Sequence, residues 1–251
     1  MSEIRHDAKG ATASQVLAGG ARIGRHRHDQ HQIVYPSSGA AEVRTEGGSW
    51  IAPADRAIWI PAGYWHEHSF YGPTRFHCVG FAPDPMPGRG APAVIAAHPL
   101  LRELIITCSD PGDLPEAEVL RLRQVLLDRI ARSPDQSLPL PVARDDRLRR
   151  ACRLVEDDLA TSRPLADLGR AVGASERTLT RLFRTEFAMT YPQWRTRLRL
   201  HRAVRLLAEG ETVTAAAHHC GWASPSAFID AYRRVLGRTP GDRRGGLDPS
   251  M

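Results

Sequence analysis

His26 and His28 are separated by a single residue, Gln32 stands four positions further on, and His66 follows beyond a turn-rich stretch. Five of the eleven histidines fall between positions 26 and 68. Neutral imidazole offers a lone pair in the ring plane and suits Zn, Ni, Cu or Fe. Side chains two apart on an extended strand share a face, so His26 and His28 point the same way. Gln32 is a neutral amide and a poor ligand beside three imidazoles. Three readings stay open. Histidines grouped in this way hold a divalent transition metal, hydrogen-bond a small organic effector, or hold nothing. His31 and His68 are read as out of phase with His28 and His66 and are placed on the surface.

A second chemistry lies in the C-terminal half. The segment SERTLTRLFRTEF carries Leu179, Leu182 and Phe183 at helical spacing, with Arg177, Thr180, Arg181 and Arg184 on the other side. Arginine takes the O6 and N7 of guanine bidentately or holds a phosphate. A second segment, SPSAFIDAYRRVL, repeats the pattern. Ala227, Phe228, Ala231 and Tyr232 are its expected core stripe, and Ser226, Ile229, Asp230 and Arg233 its outer face. That face is less basic, and Asp230 repels phosphate, so it is expected to read a base edge or a thymine methyl, or to bind weakly.

Both segments need elements to present them. Short β-branched or aromatic runs at Gln32–Tyr35, Glu42–Thr45, Ser49–Ala52, Arg56–Ile60, Trp65–Phe70 and Arg75–Phe81 are punctuated by Gly, Pro and Ser, the pattern of an all-β sandwich or barrel. Helices are expected over Pro99–Thr107 and Pro115–Arg132. The second carries a Val119, Leu122, Leu126, Ile130 stripe that either makes a dimer or packs on its own barrel. Residues 133–141 are a Pro-rich linker. From there on the pattern is helical: Arg144–Thr161, Leu165–Val172, Glu176–Phe187, Pro192–Glu209, Val213–Cys220 and Pro225–Leu236. Ser175 and Ser224 are N-cap residues, and Pro225 sits at the first helical position, where its missing donor costs nothing. Two short helices joined through Gly173 and Gly221 to longer ones make two helix-turn-helix units. The fold class is therefore α+β in two domains, a β-barrel followed by an all-α domain.

From Pro164 to about residue 244 the sequence closely resembles the AraC-type transcription regulators. The resemblance rests on SERTLTRLFRTEF, on YPQWRTRLRLHRAVRLLAEG as a connecting helix, and on VTAAAHHCGWASPSAFIDAYRRVLGRTPGDRR with its closing Gly237-Arg238-Thr239-Pro240. It implies two helix-turn-helix units on one rigid helix, with Arg177, Thr180 and Arg181 as base readers of the first and Ser226, Ile229 and Asp230 in the equivalent places of the second. Ala188 stands where the family usually has Gly, and Trp222 where it has Phe or Tyr. His218, His219 and Cys220 replace small or aliphatic residues and are read as two surface imidazoles and a core thiol. Upstream, Gly20-x5-His26-x-His28-x3-Gln32-x6-Gly39 and Asp55-x5-Pro61-x-Gly63-x2-His66 resemble the two cupin motifs, with Gln32 in the acidic place and Phe70 in the terminal Asn place. That resemblance implies a small double-sheet barrel whose pocket either holds a divalent transition metal on His26, His28 and His66, with Gln32 a weak fourth, or hydrogen-bonds a small organic effector through His26, His28, Gln32 and His66.

The 251 residues carry a net charge of +6, and residues 142–251 hold 20 Arg against 13 acidic groups while the rest is nearly balanced. A polyanion partner for the C-terminal part is expected, namely double-stranded DNA. No apolar run reaches the length of a membrane helix, and the first residues hold no apolar signal core, so a cytoplasmic protein is expected. Cys78, Cys108, Cys152 and Cys220 are scattered and suggest no disulfide framework. The reading is a regulator in which residues 1–85 sense, 86–141 couple and dimerise, and 142–251 bind DNA as a homodimer, with RNA polymerase a further partner. The alternative is a cupin metalloenzyme, a dioxygenase or isomerase, fused to a DNA-binding domain. It lacks the carboxylate that a two-His-one-carboxylate iron site needs at Gln32, and an enzyme has no use for two DNA-reading units.

Overall fold

A computed structural model describes residues 5–7, 12–84 and 89–241. The turn Gly47–Ser49 apart, the chain forms one compact unit up to Leu138 and a second from Pro139. Arg243 and Arg244, the last residues of the family-like segment, lie outside the described residues.

The first unit packs two five-stranded sheets face to face. One runs β1 (Arg5–Asp7), β3 (Arg22–His28), β8 (His66–Tyr71), β5 (Ala40–Thr45), β6 (Gly48–Pro53); the other runs β10 (Ala93–Ala96), β7 (Arg56–Ile60), β4 (His31–Pro36), β9 (Thr74–Phe81), β2 (Ala13–Leu17). Six strands coincide with the β-branched and aromatic runs. β1, β2, β3 and β10 lie outside them. β3 reads RIGRHRH and β2 ASQVL, too polar or too short to stand out. Alternation along each strand sorts the side chains. Val34, Ile58, Ile60, Phe70, Phe76 and Cys78 fill the space between the sheets. Ile33, Tyr35, Trp59, Val79 and Phe81 face out, where α1 (Pro99–Ser109) and α2 (Glu116–Arg132) cover them.

Leu126 and Ile130 have no exposed surface and belong to that outer cluster, with Leu122 packed against it. The apolar stripe of α2 thus packs on its own barrel, and its two most buried residues are not available to a second copy. Trp59 Nε1 donates to the Arg89 carbonyl, and the buried Arg89 guanidinium donates to the Ile130 and Ser133 carbonyls at the end of α2. A cation there meets carbonyls of the last turn of α2 and the negative end of the helix dipole.

The second unit is all helix: α3 (Asp146–Asp157), α4 (Leu165–Val172), α5 (Glu176–Phe187), α6 (Tyr191–Ala208), α7 (Val213–His219) and α8 (Pro225–Leu236). Its first core gathers Leu148, Val155, Leu168, Leu179, Phe183 and Trp194. Side-chain oxygens cap the starts: Asp145 accepts from the Arg147 N–H, Ser175 from Thr178, Thr212 from Ala215 and Ser224 from Ala227. Thr190 and Gln193 form a reciprocal capping box at α6. Gly173 and Gly237 end α4 and α8 in the left-handed region.

Candidate functional site: an imidazole cluster and two DNA-reading helices

β3 and β8 are antiparallel neighbours, and His26 pairs directly with His66. The register slips between Ile23 and His26. That bulge matters. Ile23 pairs with His68 and packs into the interior, so an unbroken ladder would set Arg25 against His66. One extra residue turns His26 inward instead. The loop before β8 is pinned to the same strand, since the Gly63 N–H donates to the His28 carbonyl at 2.8 Å.

Four imidazoles gather as a result. The His26 ring centre lies 4.2 Å from His66, 4.9 Å from His28 and 5.6 Å from His68. His66 lies 5.1 Å from both His28 and His68. All four are buried. One ring nitrogen each from His26, His66 and His68 lie within 4.8 Å of one another. His68 therefore departs from its expected surface position and is only 2% exposed. It is two residues from His66 on one strand, so alternation itself puts both on the inner face. His31 is also no free surface residue. Its Nδ1 accepts from the Ala62 N–H, its Nε2 donates to the Asp84 carbonyl, and its ring packs on Trp59. Gln32 is buried on the opposite sheet and shares the interior face of β4 with Val34.

Hydrogen bonds orient the rings. His26 Nδ1 donates to the Gly24 carbonyl at 2.7 Å and His66 Nδ1 to the Tyr64 carbonyl at 3.0 Å. Each thereby keeps its Nε2 lone pair. His66 Nε2 and His68 Nδ1 are buried with no hydrogen-bond partner among the described residues. Burial lowers the pKa of His26 and His28, and brings His66 down to about 3 with help from His26. Burial and the His66 ring hold His68 well below its ordinary value. The cluster is neutral near pH 7, the state in which imidazole coordinates a metal or accepts a hydrogen bond.

The C-terminal unit offers a different surface. On α5, Leu179, Leu182, Phe183 and Phe187 are buried, while Arg177, Arg181 and Arg184 are exposed and Thr180 half-buried. On α8, Phe228 and Tyr232 are buried and Ala231 is half-buried. Ala227, expected in the core stripe, is exposed; the inward face starts one residue later, at Phe228. Ser226, Asp230 and Arg233 are exposed and Ile229 half-buried. Asp230 and Arg233 pair with each other at 3.3 Å, which mutes the charge of both.

The second helix-turn-helix unit is fixed to α6 through Arg199, a residue that the sequence did not single out. Arg199 Nε donates to the Cys220 carbonyl at 2.5 Å, and its guanidinium lies 3.8 Å over the Trp222 ring. Burial, with Arg195 nearby, brings its pKa down to about 10. A Cβ on Gly221 would stand 2.6 Å from the Ala160 carbonyl oxygen, so only glycine fits there. Similarly, a Cβ on Gly169 would stand 2.5 Å from the Ala174 carbonyl oxygen in the α4–α5 turn. His218 and His219 are exposed and Cys220 is buried, as two surface imidazoles and a core thiol.

A double-sheet barrel followed by two helix-turn-helix units sharing one helix defines a DNA-binding transcription regulator with a cupin domain. Residues 13–80 match the cupin domain family and residues 168–245 a helix-turn-helix domain family. The chain is 31% identical to the HTH-type transcriptional regulator NimR of Escherichia coli (strain K12) over 218 residues, 86% of this chain and 80% of that one. It is 27% identical to the arabinose operon regulatory protein of the same organism over 76% of this chain and 63% of that one. The chain belongs to the AraC-type family of transcription regulators. The solved DNA-binding domain of AdpA in complex with a target DNA is 30% identical, with 38% of this chain and 87% of that one covered and a TM-score of 0.36. No helix among the described residues is long and apolar enough to cross a membrane.

Proposed function

We propose that this chain is a cytoplasmic, effector-responsive regulator that binds specific double-stranded DNA as a homodimer and acts on transcription by RNA polymerase. The observation that carries the reading is α5: three exposed arginines stand opposite a fully packed apolar stripe, on the second helix of a helix-turn-helix unit. In such units the second helix enters the major groove. Arg177, Thr180 and Arg181 read bases and Arg184 holds a phosphate. Ser226, Ile229 and Asp230 meet the neighbouring groove face, with Arg233 partly spent on Asp230. Helix α6, about 27 Å long at 1.5 Å per residue, spaces the two units. The grooves it must serve lie roughly 34 Å apart, so modest bending of the DNA completes the fit.

Residues 1–85 sense, 86–141 couple, and 142–251 bind DNA. The effector is a small molecule or a metal ion held among His26, His28, Gln32 and His66. The clustered donors are all imidazole, which suits binding better than iron-dependent turnover.

Titration of the full chain on a selected duplex and on a random one tests the DNA reading. Arg181→Ala is expected to cost about 1–3 kcal/mol on the selected duplex and much less on the random one. Equal loss on both reduces Arg181 to a phosphate contact. Unchanged binding removes it from the interface.

A further inference from the structure

We infer that the barrel holds a nitrogen-only site for a divalent transition cation, formed by Nε2 of His26, Nε2 of His66 and a ring nitrogen of His68. The inference rests on the reading of the barrel as the sensing domain, and it changes the ligand set. His68, outside both cupin motifs, takes the place that Gln32 leaves weak.

Geometry selects these three. Their donor atoms lie within 4.8 Å of one another, and His28 is not part of that group. Nitrogens around a tetrahedral zinc at 2.0–2.1 Å stand about 3.4 Å apart, so the rings need move only about an ångström or so to close on an ion. Two of the three already have the outer support that metal-bound imidazoles require. The carbonyls of Gly24 and Tyr64 hold the Nδ1–H groups of His26 and His66 and leave each Nε2 free to coordinate. His68 is braced by the rings of Phe70 and Phe76, at 6.2 and 5.3 Å between centres.

Satisfaction of polar atoms points to the same cluster. His66 Nε2, His68 Nδ1 and both ring nitrogens of His28 are sealed from water without a partner among the described residues. Buried polar groups in a packed core are normally hydrogen-bonded, so unsatisfied nitrogens in a donor cluster need an explanation, and the donor distances select His68 rather than His28 as the third ligand. A cation supplies that explanation for His66 directly, and for His68 if that nitrogen is the donor. The donor chemistry narrows the class. With no carboxylate and no thiolate among the three, Mg2+, Ca2+ and Mn2+ are disfavoured, and Zn2+, Ni2+ and Cu2+ fit.

Full-length protein, stripped with a chelator, is titrated with Zn2+, and with Co2+ as an absorbing substitute. Expected are one equivalent of Zn2+ bound, a rise in melting temperature on binding, and the intense visible absorption of four-coordinate Co2+. His68→Ala should weaken zinc binding more than about tenfold, since losing a ligand costs at least what losing its outer partner does. His28→Ala should weaken zinc binding less than His68→Ala does, and a larger loss at His28 than at His68 overturns the ligand set. Should His68→Ala fail to fold by circular dichroism, the ring 15N resonances of the natural chain decide. On zinc addition His26, His66 and His68 shift if the assignment holds. Shifts at His28 without His68 overturn it. Less than about a tenth of an equivalent of Zn2+, Ni2+ or Cu2+ bound overturns the site altogether. The DNA titration is run beside it on stripped protein. DNA binding that persists without zinc binding sinks this inference and leaves the regulator reading standing.

Discussion

His77 shows how one buried side chain sets a pH limit on the barrel. It lies on β9 outside the imidazole cluster and is 2% exposed. Ser109 Oγ donates to the Ile106 carbonyl and accepts from His77 Nδ1 at 2.9 Å; Ser37 Oγ donates to His77 Nε2 at 3.0 Å. Every role is filled by the neutral ring. A proton on Nε2 forces Ser37 to turn its hydroxyl toward the Arg75 carbonyl, 3.5 Å away, a poorer bond. Burial, then Arg75 and Arg102, bring the pKa from 6.5 to about 4. The unfolded chain binds the proton more readily, so stability rises with pH across this window. The contribution is full above pH 6.5 and is lost as pH falls toward 4, at up to about 1.4 kcal/mol per unit. We expect the stability gap between the natural chain and His77→Asn to shrink as urea unfolding is repeated from pH 7 down to pH 4.5. A gap that does not change with pH would mean that His77 titrates normally in the folded state.

At this scale the sequence was legible wherever spacing alone decides. His26, His28 and His66 are found by their motifs, and the Ser175 and Ser224 caps by type and position. The neighbours that complete the cluster were harder. His68 was misplaced although its distance from His66 is an even number of residues. Nothing in the pattern announces the bulge before His26, which sets the phase of β3 against β8. Arg199 was missed because its role is tertiary, lying over Trp222; Gly221 is legible as a turn residue, but its close approach to the Ala160 backbone is tertiary and is not.

Among whole elements, helices were the more readable. α4, α5 and α8 carry start and stop signals and a clear apolar face, and their expected spans coincide with the observed ones. Strands whose partners lie far off in sequence were less readable. β3 is Arg- and His-rich because one face is a donor cluster, and β10 spans only Ala93–Ala96. The end of α5 shows what a family departure costs. Its C-cap, Ala188, has φ 53° and ψ 29°, and among the described residues it is the one non-glycine at positive φ. An L side chain in the left-handed region costs roughly 1–2 kcal/mol, a penalty that glycine avoids. Glycine also loses more chain entropy on folding, so the net gain of Ala188→Gly should be about 1 kcal/mol. Urea unfolding read on helical ellipticity measures it. A glycine variant no more stable than the natural chain would show that α5 does not end in this conformation.

The whole molecule separates its chemistries along the chain. The barrel unit holds the buried neutral imidazoles, and the helical unit holds the excess of arginine. Many of those arginines serve the fold: Arg150 bonds the Val172 carbonyl, Arg195 the Leu159 and Thr161 carbonyls, and Arg147 pairs with Asp145. The net charge therefore overstates the DNA-facing charge, and α5 stands out because its arginines point outward. The helical unit also has its own core, from Ala143 through Leu198, built without any barrel residue. A fragment starting at Val142 is thus expected to fold unaided and to bind the selected duplex. Each phosphate it neutralises releases condensed counterions, so a plot of log affinity against log salt should fall with a slope near −0.9 per contact. The slope should drop by about one when Arg184 is replaced by Ala, and less when Arg233 is, because Asp230 already neutralises part of that charge. Circular dichroism of the fragment and titrations at several salt concentrations check both points. An unfolded fragment would mean that the helical core depends on residues before Val142, and equal slope changes for the two arginines would mean that the Asp230 pair opens on DNA.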